Sequence, residues 1–565
     1  MKRCPQCNNI ARDDKHSFCR ADGVRLVQHN DSFSNTETIE LPLNACQAPT
    51  SAAETLDSTV APTTVLDSAR ATSPTNSLLR IKKQPLSIVV IVAVVAATVI
   101  GSAYYSISGK KNATISSLAV LPFINVNADQ QLDYLSDGMT DMLICNLSRL
   151  PKLSVKARSS VFRYKGNNIA PNKVGQDLHV QAVLNGRIVL QGDVLTLSLE
   201  LADASTEDVI WSVQYIRKQG DLASLQTEIA RDIYDKLSMK LAGAEEQRLS
   251  KNYTSNTQAY QLYLKGRFYW NKRTLADLEQ ALQYFNEAIA MDPNYALAYS
   301  GLADTYVLLP FYRNDLTREA TSRAREAAIR GLSIDGDLAE AHATLGFVNT
   351  HEYDFAGAER EYKRALQLNP NYATAHQWYG EMLSHLAKHE EALAQLQSAL
   401  TVDPLSLIIN VWYGNALLYA RRYGDAIAQL KKTLELDSRF ALTHQSLANV
   451  YQANGNYAEA AEEFAKYHEL TDDPQTAAQI RKSFAEGGWN GFLRTMTGDR
   501  RPANLSGYER VEFLAALGEK EKAFAEPDQS YEVFGCVLKV DPLLDPLRGD
   551  RRFAELLRRV GFPEG

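Results

Sequence analysis

Cysteine is scarce, with six in 565 residues, and three of them (Cys4, Cys7 and Cys19) crowd into the first 20 positions. That distribution argues against a disulfide framework and points to a metal knuckle in a reducing compartment. The others, Cys46, Cys145 and Cys536, are scattered and read as linker or buried thiols. Positive charge is not in excess. Sixty basic against 67 acidic side chains leave a net charge of −7, which does not suit a chain built to coat nucleic acid or an anionic surface. A GxGxxG phosphate loop and the HRD and DFG elements of a kinase are missing, and no constellation of residues supports catalysis. The chain reads as non-enzymatic.

What is present is a period. Gly346–Ala358–Tyr362–Ala365–Pro370 is matched 34 residues on by Gly380–Ala392–Leu396–Ala399–Pro404. Gly414–Ala426–Leu430–Thr433–Ser438 and Ala448–Ala460–Phe464–Tyr467–Asp472 continue the series. A 34-residue repeat with small residues where two helices touch is the sequence form of a tetratricopeptide (TPR) hairpin. The small residues let helices approach, and the closing Pro or turn residue ends the second helix. Two earlier repeats carry insertions, one through Gly266, Ala281, Phe285 and Pro293 and one through Ala303, Ala324 and Gly331. Six repeats over 256–472 predict an α-helical solenoid, and 473–565, which loses the period, is expected to form a helical C-terminal cap. A solenoid offers an extended surface to another chain, so protein or peptide binding is the default function.

Ahead of the repeats, 115–245 mixes strand and helix signals and predicts a small α+β domain. Ser117–Phe123 reads as a strand, Leu132–Leu150 as a helix, and Val180–Leu190 with Val194–Leu201 as a hairpin closed on Gln191-Gly192-Asp193. Val209–Tyr215 and Leu222–Leu241 add a strand and an amphipathic helix. Leu86–Ile107 has no charged residue. At ~1.5 Å per residue it would span about 33 Å, enough for a transmembrane helix. Arg80, Lys82 and Lys83 before it, against Lys110 and Lys111 after it, favour slightly a cytoplasmic N-terminus. The expected topology is a single membrane span, with the TPR part outside the cytoplasm. Residues 29–85, rich in Ser, Thr and Ala, read as a disordered linker, and 1–28 as a zinc-ribbon-like knuckle.

From Leu118 onward the chain resembles a bacterial family of membrane-anchored TPR proteins with a TolB- or FlgO-like module. The stretches that carry the likeness are LAVLPFINVNADQQLDYLSDGMTDML, LSVKARSSVFRYKGNN, VLNGRIVLQGDVLTLSLELADASTEDVIWS, AYQLYLKGRFYWNKRT and LKVDPLLDPLRGDRRFAELLRR. Members of this kind are similar to one-pass sensors of the CadC type, which join a winged-helix, kinase or adenylate cyclase domain to the same part. The residues before Leu86 are too few for any such domain. The resemblance therefore implies architecture and a place among signalling or envelope proteins, without an activity.

Cys4-Pro5-Gln6-Cys7 sets two thiolates close together, and Cys19-Arg20-Ala21-Asp22-Gly23 forms a second knuckle with Asp where a fourth Cys is usual. Structural Zn²⁺ takes four ligands tetrahedrally, and Cys4, Cys7, Cys19 and Asp22 supply them, with His16 as the rival for the fourth place. Six basic residues against three acids in this stretch are too few to make nucleic-acid contact the leading reading. It stays as the alternative, a transmembrane regulator whose ribbon touches nucleic acid or the transcription machinery. His385 and His389, at i and i+4, read as a solvated turn between helices. His342, His376 and His444, with Asn410 in the same column, read as a packing position. Asp137 and Asp141 are expected to cap the Leu132–Leu150 helix and oppose its dipole. Repeat register puts Gln377, Glu381, Asn415, Gln445, Asn449 and Gln452 in a peptide groove, where amides could both donate to and accept from an extended backbone.

Overall fold

The structure, a computed structural model, describes residues 115–562 except 130–131, 168, 238–242, 244–250, 252, 314–317, 499–504 and 527–534. It also describes three two-residue strands, β1 (Lys2–Arg3), β2 (Ile10–Ala11) and β3 (Val27–Gln28), in the antiparallel order β2-β1-β3. The proposed zinc ligands, the linker and the 86–107 span lie outside the described residues. Among the described residues no helix is long and apolar enough to cross a membrane, and no His/Cys/Asp/Glu group could hold a metal ion.

The α+β domain is built on a sheet of order β6-β4-β7-β8-β9, with β5 also pairing with β7. β4 (Ser117–Val120) runs parallel to β6 (Ser154–Val155) and to β7 (Ala182–Gln191). β5 is Ile124–Asn125, and β8 (Val194–Asp203) and β9 (Val209–Lys218) complete an antiparallel meander. The hairpin turns on Gly192, whose φ of 62° suits a residue without Cβ. Leu195, Leu197, Leu199 and Leu201 alternate into the core, as a half-buried strand requires. Helices α1 (Asp133–Ser148), α2 (Arg158–Val161), α3 (Pro171–Leu178) and α4 (Leu222–Lys236) accompany the sheet.

Six antiparallel helix pairs follow. They are α5 (Thr257–Lys272) with α6 (Leu275–Met291), α7 (Ala296–Arg313) with α8 (Arg318–Ile334), and α9 (Ala339–His351) with α10 (Phe355–Leu368). Then come α11 (Ala373–His385) with α12 (His389–Val402), α13 (Leu407–Tyr419) with α14 (Tyr423–Leu436), and α15 (Ala441–Ala453) with α16 (Tyr457–Leu470). The glycines of the period sit where a side chain has no room. A Cβ on Gly346 would meet the Tyr362 ring at 2.6 Å, and one on Gly380 or Gly414 would meet Leu396 or Leu430 at 2.7 Å. The large residue of each second helix thus lies over the small one of the first. That contact fixes the distance between the paired helices.

The repeat histidines are more than packing residues. His342 Nδ1 bonds Glu361 at 2.6 Å, His376 Nδ1 bonds Gln395 at 2.7 Å, and His444 Nδ1 bonds Glu463 at 2.5 Å. Each Nε2 reaches a carbonyl six residues back: Gly336, Pro370 and Ser438. Asn410 reproduces both contacts, to Gln429 and to the Pro404 carbonyl. One side chain per repeat clasps the preceding turn to the following helix.

The C-terminal region departs from a simple cap. Helix α17 (Pro474–Thr497), kinked at Gly488, stacks on α16 through Trp489 and Phe492. Beyond it, α18 (Gly507–Ala516), α19 (Lys520–Phe524), α20 (Asp545–Arg548) and α21 (Arg551–Val560) turn back along the array. They share a core with Phe355, Tyr362, Tyr379, Met382 and Leu383 of the third and fourth pairs.

Candidate functional site: the inner face of the repeats and its two covers

The first helix of each pair lines one face of the array, and the candidate groove residues lie on it. Gln377 and Glu381 are buried, and the Gln377 amide donates to the Glu381 carboxylate at 2.7 Å. Burial pushes the Glu381 carboxyl up to about 8, the Gln377 bond only partly opposing it. Asn415 and Asn449 are half-buried, and Gln452 is buried with its Oε1 unpartnered among the described residues. Gln445 donates to Glu509 of α18 at 2.9 Å. At its distal end this face is covered by the chain's own C-terminal region. Gly535–Val537 lies against α11, and Pro542–Leu544 against α15.

The proximal end is covered by the α+β domain. Asp141 of α1 accepts from Arg267 of α5 at 3.2 Å, and Arg267 reaches Asp304 of α7 at 3.6 Å. Asp304 also accepts from Thr344 at 2.7 Å. Burial moves its carboxyl up to about 6 against the pull of Arg267. Asp137 is held by Lys165 at 2.8 Å and lies 3.8 Å from Arg158. Burial raises its carboxyl even so. Both aspartates sit in the second and third turns of α1, so the capping role expected for them is not what they do. Asp133 is the acid of the first turn. They are interior ion-pair partners, and Asp141 joins the two domains.

A second seam follows the turns that end each helix pair. Asn369 donates to Ser148 at 2.9 Å, and Asn371 donates to the Ser148 and Leu153 carbonyls at 2.9 Å. Asp403 accepts from Ser160 at 2.6 Å and also from Ser159, and the Ala157 amide bonds the Val402 carbonyl. Arg163 donates to the Leu436 carbonyl at 3.1 Å, and Lys251, just ahead of α5, pairs with Asp335. Asp335, Asn369 and Asp403 are 34 residues apart. The reading of the sequence missed them, although the polar residue before each Gly336, Pro370 and Pro404 was a visible signal. The two domains share one apolar core, running from Leu118 to Leu345.

His385 is also corrected. It is buried at the end of α11 with neither ring nitrogen partnered among the described residues, and burial drives its imidazole down to about 3. It is an apolar-side residue facing Trp412, not part of a solvated turn. His389 is half-buried in the next helix.

With this geometry in view, the comparisons give a TPR-repeat protein whose α+β domain is similar to the second domain of HilA/YgeH-like transcriptional regulators. Residues 114–232 match the second domain of that family. Residues 262–295, 361–394 and 414–474 match tetratricopeptide repeats. The α+β domain is the part that matches the HilA/YgeH-like second domain, and the matches do not extend to the TolB/FlgO-like module expected of it. The chain is 30% identical over 231 residues to a putative adenylate cyclase 3 of Rhizobium meliloti, covering 40% of this chain and 39% of that protein. It is 28% identical over 104 residues to the transcriptional regulator HilA of Salmonella typhimurium, covering 18% of this chain and 19% of HilA. The chain thus spans well under half the length of either relative. Among solved structures it is similar to YrrB, a TPR protein with an unusual peptide-binding site, at 21% identity. That match covers 35% of this chain and 97% of YrrB with a TM-score of 0.26, a likeness of fold alone.

Proposed function

We propose that this chain serves a bacterial transcriptional or signalling regulator as the part that receives a protein or peptide partner. Occupancy of the repeats would pass to the α+β domain through the seam of Asp141, Asn369 and Asp403. The observation that carries this reading is the seam itself, together with the HilA-like match of residues 114–232. A domain hydrogen-bonded to successive repeat turns cannot stay unchanged when the array changes its pitch. In this reading 86–107 anchors the chain in the inner membrane with a cytoplasmic N-terminus. Zinc on Cys4, Cys7, Cys19 and Asp22 orders the cytoplasmic end, and the chain itself performs no catalysis.

A second reading, a membrane scaffold with no transcriptional output, draws on the same repeats. Transcript profiling separates the two. A deletion strain is complemented with the wild-type gene or with the Asn369→Ala/Asp403→Ala double variant. A regulator gives a discrete set of transcripts that changes severalfold on deletion and is not restored by the double variant at equal protein level. Unchanged transcripts alongside altered co-purifying proteins would leave the scaffold.

A further inference from the structure

We propose that residues 535–547 are a resident ligand of the repeat groove, and that the partner is an apolar peptide segment of the same chemistry that binds by displacing them. The chemistry in question is a short, turn-rich stretch with an acid-Pro-Leu-Leu core. This rests on the partner-binding reading above and adds to it the partner's class and the competition.

The segment Cys536-Val537-Leu538-Lys539-Val540-Asp541-Pro542-Leu543-Leu544 has almost no regular structure, two single 3₁₀ turns at Gly535–Val537 and Pro542–Leu544. Yet Val537, Leu538, Val540, Leu543, Leu544 and Leu547 are all buried. A short stretch without a core of its own buries such side chains only against a receptor, here Tyr379, Met382 and Leu383 with Tyr508 and Val511 of α18. The polar contacts are those of a bound peptide. Arg421 donates to the Val540 carbonyl at 2.9 Å and to the Asp545 carboxylate at 2.8 Å. Asp541 accepts from Tyr508 Oη and from the Leu543 amide, both at 2.9 Å.

An independent observation comes from the receptor. The turn inside each of the last four pairs holds a residue with positive φ: Tyr353, Ala387, Arg421 and Gly455. Glycine suits that conformation and stands there once. Tyr353, Ala387 and Arg421 depart from it; Ala387 is exposed, while Tyr353 and Arg421 touch the C-terminal region, Tyr353 packing on the Phe562 ring at 5.6 Å. Arg421 is thus the turn residue that holds the occupant itself. The fit also leaves room for competition. Ser384 Oγ and Gln452 Oε1 on the first helices are buried without partners among the described residues, and Glu512 and Asp541 place two acids together. A tethered ligand has a high local concentration, so a partner's apparent affinity is reduced by the fraction of grooves that are occupied.

The test uses the full chain and a fluorescein-labelled peptide of residues 535–549, read by anisotropy. Leu538→Asp with Leu544→Asp frees the groove without touching the repeats. The labelled peptide is expected to bind this variant at least tenfold more tightly than the wild type, and a peptide carrying Asp541→Ala and Leu544→Ala to lose that gain. Equal binding to both chains, or none to a variant that keeps its helical melting transition, overturns the proposal. Should the double aspartate variant lose that transition, Asp545→Ala with Arg548→Ala removes the bond to Arg421 and the Arg548 bonds to the Leu538 and Asp541 carbonyls, and leaves the apolar contacts in place. A gain of about threefold is expected there, and its absence overturns the proposal equally. A peptide that binds while transcripts stay unchanged would sink the regulator reading and leave this one standing. The reverse pattern would sink this one alone.

Discussion

At Ala387 the backbone has a φ of 63°, and its side chain is exposed on the turn between α11 and α12. A left-handed residue with a Cβ is strained by about 1–2 kcal/mol. Glycine would remove that strain but add about 0.4–1 kcal/mol of unfolded-state freedom. The strain is the larger, so Ala387→Gly is expected to stabilise the protein by about 0.5–1 kcal/mol, read as a raised denaturant midpoint. Glu381 answers to pH. Its folded carboxyl titrates near 8, above the ordinary value of 4.5, because burial disfavours its charge. The folded state therefore keeps a proton that the unfolded state has lost. Stability from this group is complete below the unfolded value and is lost as pH rises through about 8. Glu512 and Asp541, also raised by burial, add in the same direction. Melting temperature should fall from pH 7 to pH 8, above the range in which the lowered imidazole of His385 acts in the opposite direction, and Glu381→Gln should flatten that slope. An unchanged slope would place the titration elsewhere.

At the scale of the helix pair, small against large is the rule that holds the array. Gly414 faces Leu430 with no room for a branched side chain. Gly414→Val should cost about 1–3 kcal/mol by overpacking. Gly424, with nothing within 4 Å of a Cβ, is the matched control, and Gly424→Ala should cost nothing. Chemical denaturation of the two variants checks both. These pairs were legible in the sequence, because an internal repeat shows the same contact several times over. The histidine column was legible only as a column. Its hydrogen-bond partners Glu361, Gln395, Gln429 and Glu463 also recur every 34 residues, but nothing in one helix's pattern says which residue of the next it meets.

At the scale of the molecule the seam is the feature to test. Asp403 is buried with Ser159 and Ser160 as its donors, and Asp403→Ala would strand the buried Ser160 hydroxyl, while the exposed Ser159 turns to water. The expected loss is about 1–3 kcal/mol. Hydrogen exchange should show faster exchange across 154–164 while the repeat helices keep their protection. Uniform loosening would mean that the two domains do not open separately. For the amino-terminal end, the purified full chain should carry about one zinc by elemental analysis, the number one tetrahedral set holds. Cys4→Ser should lose it, and a metal-free wild type would dispose of the ribbon.

The hairpin of 182–203, the helix of 133–148 and the six helix pairs follow from local pattern alone. Alternation, 3.6-residue periodicity and a 34-residue repeat are properties of short stretches, and the residues that create them are adjacent in the chain. The covering of the inner face is a different matter. Arg421 meets Val540, and Asp403 meets Ser160, across more than a hundred residues of chain. The sequence alone marks Leu538 and Leu544 as apolar and Asn369 as a turn residue. Which surface buries the first two, and which domain satisfies the third, was decided only when the folded array brought those groups within reach.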